Sequence, residues 1–122
     1  MASFRYIVAD VDSAVRFYTT VLDFDLEEQF GPAMAIVRRG DMTLWLAGPP
    51  SSAARPMPDG SQPAPGGWNR IVIEMSDLAA TVETLRARGV RLRNEIVSGP
   101  GGKQVLVEDP SGNPVELFQP LR

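Results

Sequence analysis

The sequence predicts an α+β fold built from two copies of a β-α-β-β-β module. Three observations favour it: one order of elements occurs twice, the copies align at an offset of 67 residues, and a proline-rich segment separates them. At this offset Asp10 superposes on Asp77 and Tyr18 on Leu85. Each half has about fifty residues, too few to bury a good core alone. We therefore expect the modules to share sheet or interface, within one chain or between two copies.

Module one covers residues 1–47 and begins with a predicted strand over residues 4–10, which are mostly apolar β-formers. Asp12 or Ser13 can cap the helix that follows. Apolar residues recur at helical spacing in that helix, at Val15, Tyr18 and Leu22. Three strands are then predicted over residues 26–30, 33–38 and 42–47, with turn residues at 31–32 and 39–41 between them.

Residues 48–67 form the linker and contain six prolines, four glycines and three serines. This composition favours a surface loop, either a lid over a site or a disordered spacer. Module two covers residues 68–122. It begins with a predicted strand over 69–75, after which Asp77 opens a helix that ends at Arg88, with Gly89 at the C′ position. Strands are predicted over 90–97, 104–108 and 114–119, with a hairpin turn or rim loop over 99–102 and a turn over 109–113.

The composition excludes several kinds of chemistry. The 122 residues include no histidine and no cysteine, so histidine or thiolate metal sites, Ser-His-Asp triads and disulfides are ruled out. The net charge of −3 provides no basic field for nucleic acid. No apolar run approaches the ~20 residues that span a bilayer, and the first residues do not resemble a signal peptide. We expect a cytoplasmic protein with no nucleic-acid or membrane partner.

Three stretches of sequence are more specific than the element order. They are residues 8–13 with Phe17-Tyr18 and 22–24, then 75–78, and then 109–117, which read Asp-Pro-Ser-Gly-Asn-Pro-Val-Glu-Leu. Together they resemble the glyoxalase / bleomycin resistance protein / extradiol dioxygenase superfamily, also called vicinal oxygen chelate (VOC) proteins. The resemblance implies a single VOC domain over residues 1–122. Its paired modules would form a cupped mixed sheet around a small-molecule ligand, commonly in a homodimer.

The resemblance also implies where metal ligands would lie. Metal-using members take one ligand from the first strand and one from the last strand of each module, and these positions correspond here to Ser3, Trp45, Arg70 and Glu116. Only Glu116 is a good ligand for a divalent cation, since serine binds metals poorly, indole offers only an N–H and arginine is a permanent cation. A stable site usually needs three or more protein ligands. We therefore expect no metal and no other cofactor, as in the metal-free, drug-binding branch.

Strand alternation extends the site prediction to neighbouring residues. If those four positions face the cup, so do Arg5, Ile7, Thr43, Ala47, Val72, Glu74 and Phe118. The opposite faces carry mainly apolar residues, which suit packing under the helices: Phe4, Tyr6, Val8, Leu44, Leu46, Ile71, Ile73, Met75, Val115 and Leu117. We expect Arg70 and Glu116 to form an ion pair where the metal would be. The pair either only satisfies two buried charges or leaves Arg70 to bind a carboxylate, phosphate or enolate oxygen.

The leading hypothesis is a metal-free protein that binds or sequesters a small, planar or partly anionic molecule near a dimer interface. The predicted ligand-binding residues are Arg5, Trp45, Trp68, Arg70, Glu116 and Phe118. The main alternative is a lyase or isomerase that uses Arg70 with Glu74 or Glu116 as base in place of a metal. A third possibility is a dimerisation or regulatory subunit. The arginines at 86, 88, 91 and 93 are expected to form a solvated helix end and strand edge.

Overall fold

The computed structural model describes residues 2–121, which form two compact units divided between Gly66 and Gly67. Each unit contains a four-stranded mixed sheet and one α-helix, so the predicted α+β class and the duplicated element order are confirmed. No helix within residues 2–121 combines the length and apolar character that crossing a membrane requires.

The first unit contains strand β1 (Ala2–Ile7), helix α1 (Val11–Thr20), and strands β2 (Asp25–Phe30), β3 (Met34–Arg39) and β4 (Met42–Ala47). The sheet order is β1-β4-β3-β2. Strand β1 runs parallel to β4, and the other pairs are antiparallel. This arrangement follows from the connections, since a helix crossover joins β1 to the rest of the sheet and short turns join the other strands.

The N-cap of α1 differs from the prediction. Asp10 caps the helix, and Asp12 and Ser13 do not: the Asp10 carboxylate accepts hydrogen bonds from the Ser13 amide (2.9 Å) and the Ser13 hydroxyl (2.5 Å). The backbone of Asp10 is extended, with φ −147° and ψ 117°, so its side chain reaches back over the free N–H groups of the first turn. Strand β1 ends at Ile7, three residues before the predicted end.

The second unit contains strand β5 (Ile71–Glu74), helix α2 (Leu78–Ala87), and strands β6 (Val97–Gly99), β7 (Gly102–Glu108) and β8 (Pro114–Pro120). The sheet order is β5-β8-β7-β6, with β5 parallel to β8. Helix α2 begins and ends as predicted: Asp77 accepts from the Ala80 amide, and Gly89 follows the helix with φ +78°. The turn over 99–102 joins β6 and β7 as a hairpin.

The predicted strand over residues 90–97 is wrong. Apart from one isolated bridge between Leu92 and Val107, strand structure begins only at Val97. The Asn94 side-chain oxygen accepts the Leu106 amide hydrogen at 3.0 Å, the position at which a neighbouring strand would offer a backbone carbonyl. A side-chain acceptor of this kind competes with the ladder and stops it from propagating.

Each helix covers one face of its own sheet. Helix α1 contacts β2, β3 and β4, and α2 contacts β8. The covered face is buried as predicted at Leu44, Leu46, Ile71, Ile73, Val115 and Leu117. Tyr18 is fully buried and packs edge-on against Phe17 and Phe24. Phe4 differs, with 44% exposure, because β1 is an edge strand of its sheet. The other face of each sheet is left uncovered by the unit's own helix.

Residues 48–66 form a folded loop within the first unit. The loop contains a 3-10 turn (Ser52–Ala54) and a second turn in which the Met57 amide donates to the Ser61 carbonyl at 2.7 Å. Pro63 and Pro65 line a small cavity of about 180 Å³ with residues 7–9 at the end of β1. The prolines therefore fix the loop against this sheet edge.

Candidate functional site

The predicted ion pair between Arg70 and Glu116 is present on the uncovered face of the second sheet. The Arg70 Nε and Nη2 atoms both donate to Oε1 of Glu116, at 3.0 and 2.8 Å, and Nη1 donates to the Trp68 carbonyl at 3.2 Å. The side chains are 27% and 12% exposed. This guanidinium is therefore largely occupied by an internal carboxylate, and its charge is compensated before any ligand arrives.

Strand register places the predicted neighbours beside this pair. The parallel pairing of β5 with β8 sets Val72 opposite Glu116 and Glu74 opposite Phe118. Since alternate residues of a strand share a face, Val72 and Glu74 lie on the same side of the sheet as Glu116 and Phe118. Val72 is 49% exposed and Phe118 is half-buried, so apolar surface separates the ion pair from Glu74.

Glu74 lies at the rim of an open cleft of about 400 Å³, near the ends of β5 and β8. Among the described residues, its lining also includes Met75, Ser76, Gln119 and Pro120. The Gln119 side-chain oxygen accepts the Leu78 amide hydrogen at 2.8 Å, which fixes the amide group at the start of α2. Strand alternation predicted Glu74 on this face, but the cleft itself was not predicted because it combines two segments distant in the sequence.

The uncovered face of the first sheet presents an arginine and an indole together. Arg5 lies opposite Trp45 in the parallel pairing of β1 with β4, and its guanidinium carbon is 5.0 Å from the centroid of the Trp45 ring. Within residues 2–121 Arg5 forms no ion pair with a carboxylate. One register position along, the hydroxyls of Ser3 and Thr43 hydrogen-bond at 2.7 Å. This face therefore joins an uncompensated cation to an aromatic ring.

Trp68 belongs to a different cluster in the second unit. Its ring is 68% exposed and lies under the Arg93 guanidinium, 4.7 Å from the guanidinium carbon. Arg93 also donates to Glu108 at 2.7 Å and to the carbonyls of Gly67 and Gly112 at 2.7 and 2.9 Å. The prediction that the 86–93 arginines are all solvated is wrong for Arg93, whose side chain is only 16% exposed. Sequence reasoning missed it because its partners are distant in the chain.

The donor set does not fit the metal that the fold family implies. Ser3, Trp45 and Arg70 occupy three of the four expected ligand positions, and the carboxylate of Glu116 is taken up by Arg70. Among residues 2–121, no three aspartate or glutamate side chains come together as a metal site would require. One engaged carboxylate is too few donors for the three or more protein ligands that a stable site usually needs, so these residues do not fit the metal of the family.

Sequence comparison gives the family. The model of the Glyoxalase/Bleomycin resistance protein/Dioxygenase superfamily matches residues 1–117. The chain belongs to this superfamily. The match spans both β-α-β-β-β modules, as the sequence motifs indicated. A comparison with curated protein sequences gives no match.

Solved structures of the superfamily resemble the chain over nearly its whole length. TnmS3, an antibiotic binding protein from Streptomyces sp. CB03234, is 28% identical, with a TM-score of 0.73 over 97% of this chain and 93% of that one. A superfamily member from Sphaerobacter thermophilus DSM 20745 is 27% identical, with a TM-score of 0.77 and coverages of 98% and 95%. A lactoylglutathione lyase from Agrobacterium tumefaciens shares the fold at 21% identity, with a TM-score of 0.77 and coverages of 98% and 92%.

Proposed function

We propose that this superfamily member is a metal-independent protein that binds or sequesters a small, flat, partly anionic molecule. The proposal depends on one observation: on the uncovered face of the first sheet, the Arg5 guanidinium lies over the Trp45 ring, and within residues 2–121 it has no carboxylate partner. An aromatic surface with an adjacent cation can stack a planar body and orient a carboxylate on it. We further propose that the protein is a homodimer, with the cup that holds the ligand near the interface.

Two further observations support binding rather than turnover. Three of the family's four metal positions hold residues that bind metals poorly or not at all, and within residues 2–121 no cluster of carboxylates replaces them. In addition, the chain is similar to TnmS3, which is an antibiotic binding protein. A protein that only sequesters its ligand needs shape, stacking surface and a few oriented polar groups, all of which these sheet faces carry.

The alternative, a lyase or isomerase with Glu116 as base, gains nothing from the geometry. A general base must be free to take a proton from the substrate. Oε1 of Glu116 already accepts two hydrogen bonds from Arg70, and the side chain is only 12% exposed. Glu74 is exposed, but the Arg70 guanidinium that would serve as electrophile beside it is already paired with Glu116.

Calorimetric titration with 2-naphthoate, a planar carboxylate, tests the proposal. We expect saturable binding by the wild type, and Arg5→Gln and Trp45→Ala should each weaken it about tenfold, as expected for loss of a charge-assisted hydrogen bond or a stacking partner. Arg16→Gln is the matched control, since it removes an exposed arginine of α1 and should leave binding unchanged.

Two outcomes would count against the proposal. Equal affinity of the wild type, Arg5→Gln and Trp45→Ala for 2-naphthoate would show that the ligand does not bind at Arg5 and Trp45. A stoichiometric divalent ion in the purified protein, found by elemental analysis, would contradict metal independence. Light scattering coupled to size-exclusion chromatography tests the homodimer directly.

A further inference from the structure

Within residues 2–121, every charged side chain on the uncovered face of the second sheet is paired except that of Glu74. Arg70 pairs with Glu116 at 2.8 Å, and Glu108 pairs with Arg93 at 2.7 Å and with Arg91 at 3.6 Å. Glu74 lies on the same face, yet within residues 2–121 its side chain forms neither an ion pair nor a hydrogen bond. Among residues 2–121, Glu74 is therefore the one uncompensated charge that an incoming molecule meets on this face.

The surroundings of Glu74 are a cleft rather than an open strand edge. The cleft has a volume of about 400 Å³, within the usual range for sites that hold small molecules. Met75 and Pro120 provide apolar walls, and the Ser76 hydroxyl can accept a hydrogen bond. Glu74 is thus the one charged group among the described residues that line the cleft.

The apolar surface next to the cleft indicates the kind of molecule that fits. Phe118 lies opposite Glu74 in the strand register, and Val72 is the next residue of β5 on this face. Both are accessible, and Val72 is 49% exposed. A ligand with an apolar body would cover these side chains while its polar group reaches the cleft.

We propose that the cleft at Glu74 binds a protonated amine carried on a small apolar or aromatic body. An ammonium group offers three donors, which the Glu74 carboxylate and the Ser76 hydroxyl can accept together. A carboxylate or phosphate would instead meet an uncompensated negative charge. The inference rests on the proposed function of small-molecule binding and concerns the chemistry of a ligand at the second unit alone.

The test compares two probes of the same shape: 2-naphthylmethylamine, which is protonated at pH 7, and 2-naphthylmethanol, which is neutral. Titrations of the 15N-labelled protein would be followed by NMR. We expect the amine to bind about fivefold more tightly than the alcohol, the upper range for a solvent-accessible ion pair. The largest shifts should fall on the Ser76 amide and the Gln119 side-chain amide. High salt should reduce the preference, because exposed charges are screened.

The Glu74→Gln variant removes the charge and keeps the shape of the side chain. It should lose the preference for the amine while binding 2-naphthylmethanol as the wild type does. Glu83→Gln is the control, since it changes the net charge equally on an exposed position of α2 and should keep the preference. The unchanged remainder of each NMR spectrum shows that the variants are folded.

Three results would overturn the inference: equal affinity for the two probes, a preference that survives Glu74→Gln, or shifts located away from the cleft. The 2-naphthoate titration is independent of all three. If 2-naphthoate binds in an Arg5-dependent manner while the amine preference is absent, the proposed function stands and the amine site fails. If the amine binds at the cleft while 2-naphthoate does not bind, the amine site stands and the proposed binding of a planar anion at Arg5 and Trp45 fails.

Discussion

Removing the Arg70 guanidinium should destabilise the protein by leaving Glu116 without its partner. In Arg70→Met, Glu116 would keep a side chain that is only 12% exposed but would lose the two hydrogen bonds to Oε1. Breaking a fully buried pair by deleting one partner costs about 3–5 kcal/mol. Because Arg70 is 27% exposed and water can enter the vacated space, we expect a loss of about 2 kcal/mol in the free energy of unfolding.

Urea denaturation measures this loss directly. For a chain of this size, about 2 kcal/mol lowers the midpoint by roughly 1 M urea if the m-value is unchanged. The second variant, Arg70→Met with Glu116→Leu, removes both charges and fills the space with apolar atoms. It should recover stability to within about 1 kcal/mol of the wild type, since a hydrophobic pair commonly replaces a buried ion pair at little cost.

The matched control is Arg86→Met, which breaks the pair between Arg86 and Glu95. Those side chains are 44% and 86% exposed, so the expected loss is under about 1 kcal/mol. If Arg70→Met lowers the free energy of unfolding no more than Arg86→Met does, the burial of Glu116 does not make the internal pair more stabilising than an exposed one. If the double variant is as unstable as Arg70→Met, an uncompensated carboxylate is not the cause of the loss.

Two further predictions concern the backbone and pH. Gly102→Ala should lower the free energy of unfolding, measured by urea denaturation, by about 2–3 kcal/mol. Gly102 has φ +153°, and an added Cβ would overlap the Gln119 carbonyl oxygen. Gly101→Ala is the control and should be nearly neutral, because its Cβ would have ordinary contacts. Hydrogen bonds from the Ser13 hydroxyl and amide lower the pKa of Asp10 below its usual 3.8. The contribution of the Asp10 carboxylate to folding stability is therefore fully present above pH 3.8 and is lost as the pH falls through the lower folded-state pKa. In thermal melts, Asp10→Ala should be less stable than the wild type at pH 7. The difference in stability should shrink below about pH 4.

Most of the fold could be predicted because its signals are local and occur twice. Two copies of one element order constrain the topology more than one copy does, and Gly89 marks the end of α2 clearly. The errors arose where one signal had several equally good interpretations. Asp10, Asp12 and Ser13 all have good N-cap side chains, and the choice depends on where the backbone turns. The prediction of a strand over 90–97 failed because the Asn94 side chain, and not a backbone carbonyl, accepts the hydrogen bond from the Leu106 amide.

The candidate site could be predicted only in part, for a similar reason. Strand alternation assigns residues to faces, and the register confirms that Arg5 lies opposite Trp45 and Glu74 opposite Phe118. Alternation does not reveal which charges are already paired. The contacts of Arg93 with residues 67, 108 and 112 depend on loops that no periodic pattern describes.

The difference between paired and unpaired charges decides where ligand selectivity can reside. Because the Arg70 cation is compensated by Glu116, its long-range field is weak, and a charged ligand gains little by approaching it. Arg5 on the first sheet and Glu74 on the second have no such partner within residues 2–121. Water solvates a charged side chain that has no partner. A ligand group that displaces this water binds most favourably when it carries the opposite charge and replaces the lost hydrogen bonds. We therefore expect the Arg70–Glu116 pair to act mainly as structure, and we expect discrimination among ligands to depend on Arg5 and Glu74.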